Sequence, residues 1–291
     1  MILEALGILL LFWILINCKR SRPDGDLIKN VRPYRKMLAY ACPNRHGSSV
    51  YFDFSVKVEN LEVFLKEHKG SYQPNLTNCL LYAAKVALEK TPELNSFCSG
   101  NRLYRRKGVH ATFTVKEELK DKASKVSTCK MNLSKIDHFK DLCQKMGAKV
   151  KTERSSKETY SDKEHKFFGL FPRFLFLPLI KLVSFIDDYN WLPFWFFKDD
   201  GLFSSVIITN VGSLKMDPAY HHLYEWGNCS LFFMVGQIEE RAVVEEGVLR
   251  ARRVLPLKIT FDERIEDGAT ALEGLKTFIK VLENPEEYLK I

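Results

Sequence analysis

The chain alternates between short strand patterns and amphipathic helix patterns after an opening apolar run. Over Val50 to Val58 every second side chain is apolar, which predicts a half-buried strand. Apolar positions at helical spacing over Pro74 to Glu89 predict a helix, and Pro92 follows it as a stop. Further strands are predicted at Val109 to Val115, Ser204 to Asn210, Cys229 to Val235, Arg241 to Val244 and Leu255 to Asp262, and further helices at Leu61 to His68 and Gly268 to Leu282.

The order of these elements mixes strands and helices without a regular βαβ repeat. We therefore expect an α+β fold in which a sheet packs against helices, rather than a doubly wound sheet. Two stretches carry weaker patterns. Gly25 to Gly47 is basic and is interpreted as irregular, whereas Lys116 to Asp162 is polar, lysine-rich and predicted to be helical at the surface.

The opening apolar run extends from Ile2 to Ile16 and is interrupted only by Glu4. About 20 apolar residues cross a bilayer comfortably, so the run needs its flanks to span one. Lys19, Arg20 and Arg22 follow it and no basic residue precedes it, which places the rest of the chain in the cytoplasm by the positive-inside rule. A cleaved signal peptide is the alternative, disfavoured because the run lacks a preceding positive charge and a small-residue cleavage site.

We therefore expect a membrane anchor that includes a helix over residues 1–22 and a domain over residues 23–291. A second apolar segment, residues 167–197, is rich in aromatic side chains and is interrupted by Pro172, Pro178 and Pro193. The prolines argue against one long spanning helix. The segment is interpreted as a re-entrant or in-plane membrane contact, the alternative being packing against the protein's own core or a subunit interface.

Charge and cysteine content narrow the classes of partner. The formal net charge is +8 and the isoelectric point is about 9.0, which suits an anionic partner such as a membrane surface or a CoA-type phosphate. No nucleic-acid partner is expected, because no zinc-finger, RNP or helix-turn-helix pattern occurs. The seven cysteines include no CxxC pair and no cysteine–histidine cluster. We therefore expect neither a metal site nor a disulfide framework, and a reducing compartment.

The C-terminal stretch carries the most specific pattern, with the sequence LPLKITFDERIEDGATALEGLKTFIKVLENPEEYL from Leu255 to Leu289. It resembles the end of the catalytic domain in dihydrolipoamide acyltransferases and in chloramphenicol acetyltransferase, members of the CoA-dependent acyltransferase superfamily. In that superfamily a His-x-x-x-Asp-Gly motif follows a strand. Here Asp267 and Gly268 match the motif, and Glu263 stands in place of the histidine.

Shorter matches occur upstream in the family's order. Ile208 to Ser213 resembles a strand end that carries an Asn-x-Gly turn, and His221 to Gly227 reads HHLYEWG, as in a membrane-associated bacterial subgroup of the 2-oxo acid dehydrogenase acyltransferase family. The resemblance implies a two-layer sandwich of a mixed sheet and helices, like that of chloramphenicol acetyltransferase. It also implies a CoA thioester as co-substrate without a tightly bound cofactor, and a homotrimer whose active sites lie between subunits.

The candidate bases follow from the missing histidine. In the superfamily a neutral histidine removes a proton from an acceptor thiol or hydroxyl, which then attacks the acyl thioester. An unperturbed glutamate has a pKa of about 4.3, so Glu263 is a weak base unless burial raises that pKa. Adjacent Asp262 and Arg264 suggest an ion-pair network that holds it ionised. His221 and His222 are the alternative bases, and local packing with neighbouring aromatic rings is their competing role.

Other site residues are implied by the resemblance. Thr209, Asn210 and Ser213 are candidate donors to the substrate or to an oxyanion. The motif aspartate, Asp267, is expected to be structural and to form a salt bridge with Arg45, with Arg32 and Arg35 as alternatives.

Three functions remain open from the sequence, of which a membrane-anchored oligomeric assembly protein is the least favoured. The first is a membrane-associated acyltransferase with an atypical active site, which moves an acyl group from acyl-CoA to a lipid or another amphiphilic acceptor. The second is a non-catalytic acyltransferase-like scaffold or acyl-CoA-binding protein that has lost the histidine. The sequence indicates neither the acyl donor nor the acceptor.

Overall fold

The computed structural model describes residues 2–116, 126–154, 169–170 and 172–289. Within those ranges the helices are α1 (Ile2–Cys18), α2 (Pro33–Ala41), α3 (Glu59–Glu67), α4 (Leu76–Lys90), α5 (Phe139–Arg154), α6 (Arg173–Asp188), α7 (Phe194–Phe197), α8 (Gly268–Glu283) and α9 (Pro285–Tyr288). The strands are β1 (Gly25–Leu27), β2 (Ser49–Lys57), β3 (Ser96–Ser99), β4 (Arg102–Arg106), β5 (His110–Lys116), β6 (Val126–Asn132), β7 (Val206–Asn210), β8 (Leu231–Val235), β9 (Glu239–Glu245) and β10 (Val248–Asp262).

The main sheet has seven strands, in the order β2-β10-β8-β7-β5-β6, with β9 paired to the first half of β10. The β5–β7 and β7–β8 pairs are parallel, whereas the other pairs are antiparallel. A separate small sheet has the order β1-β4-β3. The sheet is therefore mixed, as expected for an α+β fold.

One face of the main sheet carries the principal core. Leu257, Ile259 and Phe261 of β10 are buried in it together with side chains of α3, α4, α5 and α8. Alternate side chains of the central strands, such as Ile207 and Phe232, face the opposite way and pack in a smaller cluster. This arrangement confirms the sandwich of a mixed sheet and a helical layer.

Most of the predicted elements form, and the exceptions share one cause. The alternation of β2 is observed, since its even-numbered apolar residues are more buried than its odd-numbered ones. The interpretation of Gly25 to Gly47 as irregular is wrong, because β1 and α2 lie there. The helical prediction for Lys116 to Asp162 is wrong over β6 and confirmed over α5, while residues 117–125 and 155–162 lie outside the described ranges. In each failure, tertiary pairing and packing outweighed the local polar composition.

The N-terminal helix forms as α1. No helix in the described parts of the chain is long and apolar enough to cross a membrane, so a spanning helix over residues 1–22 is not supported. In the second apolar segment, Pro172 and Pro193 precede α6 and α7, but α6 continues through Pro178. Residues 167, 168 and 171 of that segment lie outside the described ranges.

The two apolar segments meet in space. The Trp13 ring packs edge-on to that of Tyr189 with centroids 5.5 Å apart, and Trp191 Nε1 donates to the carbonyl oxygen of Ile16 at 3.4 Å. Away from this contact, both helices expose large apolar side chains. We call this set the apolar surface: Leu6, Leu9, Leu10 and Phe12 of α1, Phe174, Leu175, Leu177 and Leu182 of α6, and Trp195 of α7.

Candidate functional site

A buried ion pair between Asp262 and Arg264 lies at the end of β10. Asp262 accepts from Arg264 Nε at 2.9 Å and from Arg264 Nη2 at 2.8 Å, and both side chains are buried. Glu263 lies between them and is half-buried, and its backbone N–H donates to the carbonyl oxygen of Ser48 at 3.0 Å. Its carboxylate makes no ion pair with another described residue. The expected ion-pair network therefore forms without Glu263.

Two arginines define the electrostatics around this turn. Burial alone would lower the pKa of Arg264, but the paired Asp262 outweighs burial and holds that pKa above its usual range. Arg45 is 7 % exposed, and burial lowers its pKa although nearby Asp262 partly offsets the effect. Arg45 Nη2 donates to the carbonyl oxygen of Cys98 at 3.1 Å, whereas Nη1 is buried without a hydrogen-bond acceptor. The turn thus holds several buried charged groups, most of which have a hydrogen-bond or ion-pair partner.

The expected Arg45–Asp267 salt bridge is wrong. Asp267 is the N-cap of α8 and accepts from the Thr270 N–H at 2.9 Å, which holds the pKa of that carboxyl below its usual range. Its nearest cationic partner is Arg35 at 3.9 Å, and Arg35 binds Glu266 more closely at 2.6 Å. Arg45 is turned into the interior near Asp262. Asp267 therefore acts on the start of α8 and not on the buried charges.

The HHLYEWG segment holds the neighbouring turn in place. Glu225 accepts the backbone N–H of Arg45 at 3.1 Å and that of His46 at 2.9 Å. Trp226 Nε1 donates to Asp200 at 2.9 Å. Gly227 has a φ of +87°, and a Cβ there would lie 2.5 Å from the carbonyl oxygen of Leu202, so only glycine fits without a shift. The segment is thus a structural clamp between two loops.

The segment's histidines stack on β8 beside Thr260, whose Oγ1 donates to the His221 carbonyl oxygen and which lies three residues before Glu263. The His221 ring lies parallel to Phe232 with centroids 4.2 Å apart, and His222 stacks on His221 at 4.9 Å. His221 Nδ1 is 2.6 Å from the carbonyl oxygen of His222, and a carbonyl can only accept, so Nδ1 carries the proton. The neutral ring then has its lone pair on Nε2. His221 is therefore held in a tautomer that can act as a base.

Sequence reasoning missed His46 and Glu225. The His46 ring lies edge-on to His222 at 5.6 Å, so three histidines form one row. The two residues that clamp the turn, Glu225 and His46, are 179 positions apart in the chain. Only Glu225, as an acidic residue inside the HHLYEWG segment, gave a signal of this contact. Its partners are backbone N–H groups, which do not depend on residue type, so the sequence could not show where they lie.

The predicted donors lie at the other end of the sheet. Asn210 is level with Val235, which is level with Leu257, six residues before Glu263 on β10. At about 3.3 Å per residue this places Asn210 roughly 20 Å from Glu263 along the strand direction. Asn210 Nδ2 contacts Thr77 Oγ1 at 3.4 Å, Ser213 Oγ donates to the Asn210 carbonyl oxygen at 3.0 Å, and Thr209 is half-buried one residue earlier. The His221 ring stacks on Phe232, three residues before Val235, so Asn210 lies roughly 10 Å from it along the strands and, through its contact with Thr77 of α4, on the opposite face of the sheet. One chain therefore does not bring the Asn210 side chain and the histidines together.

A polar cavity of about 150 Å³ lies behind the motif turn. Arg45 and Arg264 line it from the core, and Asp187 and Asp188 line it from the end of α6. Asp187 is bound to Arg22 at 2.9 Å, and Asp188 accepts the Gly100 N–H at 3.2 Å. The cavity therefore joins the motif turn to the aromatic segment.

A possible cation cluster lies outside this site. The ligand atoms of Glu67, His68 and Glu286 lie within 4.8 Å of one another, and both glutamates are exposed. His68 Nδ1 is 2.9 Å from the Phe64 carbonyl oxygen, which leaves Nε2 for a ligand role. None of these residues was predicted as a ligand, and the absence of a metal from the candidate site stays a prediction.

The C-terminal part of the chain is similar in sequence to a known acyltransferase family. Residues 200–290 match the family model of the 2-oxoacid dehydrogenases acyltransferase catalytic domain. A relative from Bacillus subtilis, the dihydrolipoyllysine-residue acetyltransferase component of the pyruvate dehydrogenase complex, is 34 % identical over 86 residues. The match covers 28 % of this chain and only 18 % of that relative.

Solved structures extend the likeness over most of the chain. A dihydrolipoamide acetyltransferase of Azotobacter vinelandii aligns with a TM-score of 0.60 at 19 % identity, covering 90 % of this chain and 94 % of its own. A probable dihydrolipoamide acetyltransferase of Listeria monocytogenes gives 0.58 at 13 %, covering 91 % and 96 %. A chloramphenicol acetyltransferase gives 0.54 at 14 %, covering 91 % and 100 %. The resemblance read from the motifs is thereby confirmed, by sequence in the C-terminal third and as a fold elsewhere.

Proposed function

We propose that this protein transfers an acyl group from a CoA thioester to a hydroxyl or thiol of an amphiphilic acceptor at a membrane surface. The observation that carries the proposal is His221, whose Nδ1 is committed to the His222 carbonyl oxygen at 2.6 Å and whose Nε2 is left as the proton acceptor. The carbonyl oxygen of His221 accepts from Thr260 Oγ1, and Thr260 lies three residues before the motif position Glu263.

The proposed chemistry is general-base acyl transfer. His221 Nε2 takes the proton of the acceptor O–H or S–H as the oxygen or sulfur attacks the thioester carbon. The carbonyl oxygen becomes an oxyanion, which polar donors stabilise. The intermediate then expels the CoA thiolate, which recovers the proton from the imidazolium. Glu263 has no part in these proton transfers, because no hydrogen bond joins its carboxylate to either histidine of the described chain.

A neighbouring subunit would supply the donor group that one chain does not bring to its own His221. Asn210 lies roughly 10 Å along the strands from Phe232, on which His221 stacks, and its side chain contacts Thr77 of α4 on the opposite face of the sheet, so Asn210 and His221 of one chain do not reach the same reacting atom. A neighbouring copy that presents its donor end to the histidine end of this chain would complete the site. This supports a homotrimer with the active site between subunits, the arrangement that the family resemblance implies.

Membrane attachment is supported by the apolar surface. Exposed apolar patches of this kind mark membrane or protein contacts. The two segments lie side by side through Trp13 and Tyr189, so α1 and α6 can rest together in the plane of a membrane interface. All seven cysteines are free, which is typical of a reducing compartment and supports a cytoplasmic membrane face.

The experiment that tests this function is an acyl-transfer assay. The full chain in mild detergent is incubated with acyl-CoA labelled in the acyl group and with a lipid extract, and labelled lipid is measured. We expect His221→Gln to lower the rate about 10²- to 10⁴-fold while CoA binding remains. A wild-type protein that binds acyl-CoA without transfer would instead establish the second candidate, an acyl-CoA-binding protein, which the glutamate at 263 favours.

A further inference from the structure

A basic groove opens beside the end of α1. It has a volume of about 550 Å³ and an apolar floor that includes Leu27, Ile28 and Val31. Its rim carries four cations, Arg20, Lys29, Lys36 and Arg102, and no carboxylate lines it. Such a combination of an apolar floor and a cationic rim suits an amphiphile with an anionic head.

The cations of the rim keep their charge free for a ligand. Among the described residues, no carboxylate lies within ion-pair distance of Arg20, Lys29 or Lys36. Arg102 is bound only to backbone oxygens, at 2.9 Å to Asn17 and at 3.0 Å to Lys19. These carbonyls lie at the C-terminal end of α1, whose partial negative charge favours a cation there, but the guanidinium has no carboxylate partner among the described residues.

Helix α2 forms one wall of the groove and exposes an unusual face. Tyr34, Met37 and Tyr40 are three residues apart and are 76 %, 71 % and 62 % exposed. The opposite side of the helix is anchored, since Ala39 is buried and Arg35 binds Glu266. Aromatic and methionine side chains beside lysines are the composition of a helix that lies in a membrane interface.

We propose that this groove binds the headgroup of an anionic phospholipid while α2 rests in the bilayer interface. The inference rests on the proposed membrane association and adds the class of lipid. Three observations carry it: the unpaired cations of the rim, the exposed apolar face of α2, and continuity with α1 through Arg102. The phosphate of the headgroup sits at the rim and its acyl chains run along the apolar surface of α1.

Vesicle binding of the full chain tests the proposal. Flotation is measured with vesicles of phosphatidylcholine alone and with vesicles that contain 30 % phosphatidylglycerol. The variant Lys29→Glu/Lys36→Glu reverses two charges of the rim. The control Lys140→Glu/Lys276→Glu reverses two exposed charges on α5 and α8, away from the groove. Each basic residue near an anionic surface contributes about fivefold in binding, so we expect the rim variant to lose at least tenfold on anionic vesicles.

The control variant should lose less than threefold, and both variants should bind neutral vesicles like the wild type. Equal loss in the two double variants would show a general effect of charge and overturn the headgroup site. Competition by 1 mM inorganic phosphate or free CoA would assign the groove to a soluble phosphate and also overturn it. A changed oligomer size in the rim variant would identify a subunit contact instead. Failure of the wild type to bind any vesicle would reject the proposed membrane association itself, whereas the transfer assay in detergent tests the chemistry separately.

Discussion

Asp262 and Arg264 flank Glu263 in the chain and bind each other in the interior, leaving the glutamate between them outside their ion pair. The pair and the Asp267 cap keep the shape of the motif turn. They do not require a histidine at position 263, because Glu263 contributes its backbone N–H to the turn. Fold and proton transfer are therefore separable in this chain, and the proposed base lies on the HHLYEWG segment.

His221→Gln and Glu263→Gln should have different effects on acyl transfer. Because the His221 ring holds the free Nε2, His221→Gln should lower kcat about 10²- to 10⁴-fold. Glu263→Gln keeps the backbone bond to Ser48 and should lower kcat less than fivefold. The measurement is release of CoA thiol and labelled product under saturating acyl-CoA. If the glutamate variant were the inactive one, the base would have to be reassigned to the motif position.

Removing one partner of the buried ion pair should unfold the motif turn. Asp262→Asn leaves the Arg264 guanidinium buried without its carboxylate, and such losses cost about 3–5 kcal/mol of unfolding free energy. The matched control is Asp53→Asn, which removes an exposed partner of Lys258 and should cost less than about 1 kcal/mol. Urea unfolding followed by circular dichroism compares the two. Equal midpoints would contradict the structural role of the buried pair.

Substitution of Asp267 should change the stability of the protein only through the loss of the N-cap of helix α8. Asp267→Ala removes the acceptor of the Thr270 N–H and should lower stability by about 1 kcal/mol. Asp267→Asn keeps an N-cap oxygen and should be nearly neutral. Thermal unfolding measures both variants. A large loss with asparagine would mean that the carboxylate charge, and thus its 3.9 Å approach to Arg35, matters more than the cap.

His110 should make stability depend on pH. Burial, helped by Arg106 and Lys130 and opposed by Asp24, lowers the pKa of His110 to about 4 from an ordinary 6.5. Between those values the unfolded chain binds a proton that the folded chain does not, so unfolding free energy falls as pH drops from about 6.5 to 4. The shift corresponds to at most about 3 kcal/mol. In urea titrations, His110→Gln should flatten this part of the profile, and an unchanged slope would contradict the assignment.

Mixed oligomers should recover activity if the site lies between subunits. Chains with His221→Gln retain the donor end, and chains with Asn210→Ala retain the histidine end. Each variant alone should be inactive in the transfer assay, whereas co-expressed chains should regain a measurable fraction of wild-type activity. Refolded mixtures that stay inactive, although size-exclusion shows mixed oligomers, would place both groups in one chain's site.

The sequence was sufficient to predict a helix or strand where the local pattern and the tertiary environment agree. The alternation of β2, the amphipathic pattern of α4 and the motif before α8 each predicted an element that formed. Strand β6 was not predicted because most of its residues, VSTCKMN, are polar and its pairing partner, β5, is supplied only by the fold. The short strands β3 and β4 carry too few positions for a periodic signal.

The site was predictable only in part, because packing and not local sequence pattern decides which distant residues meet. His221 and Asp267 could be named because they lie in short motifs. The choice between Arg35 and Arg45 could not be made, since both precede β2 and only packing decides which one turns inward. His46 carried no local signal, because its neighbour in the row, His222, is brought to it by the sheet.

The bonds at the start of the domain have a mechanical consequence. Arg22 binds Asp187, and Asn190 donates to the carbonyl oxygen of Lys19 at 2.9 Å, so the short link after α1 is fastened to the end of α6. A loose tether would let the domain turn freely about its attachment. This link instead holds the domain in a fixed orientation relative to the two apolar helices. On a bilayer, the tilt of these helices would set the angle at which the sheet and its histidine row face the surface.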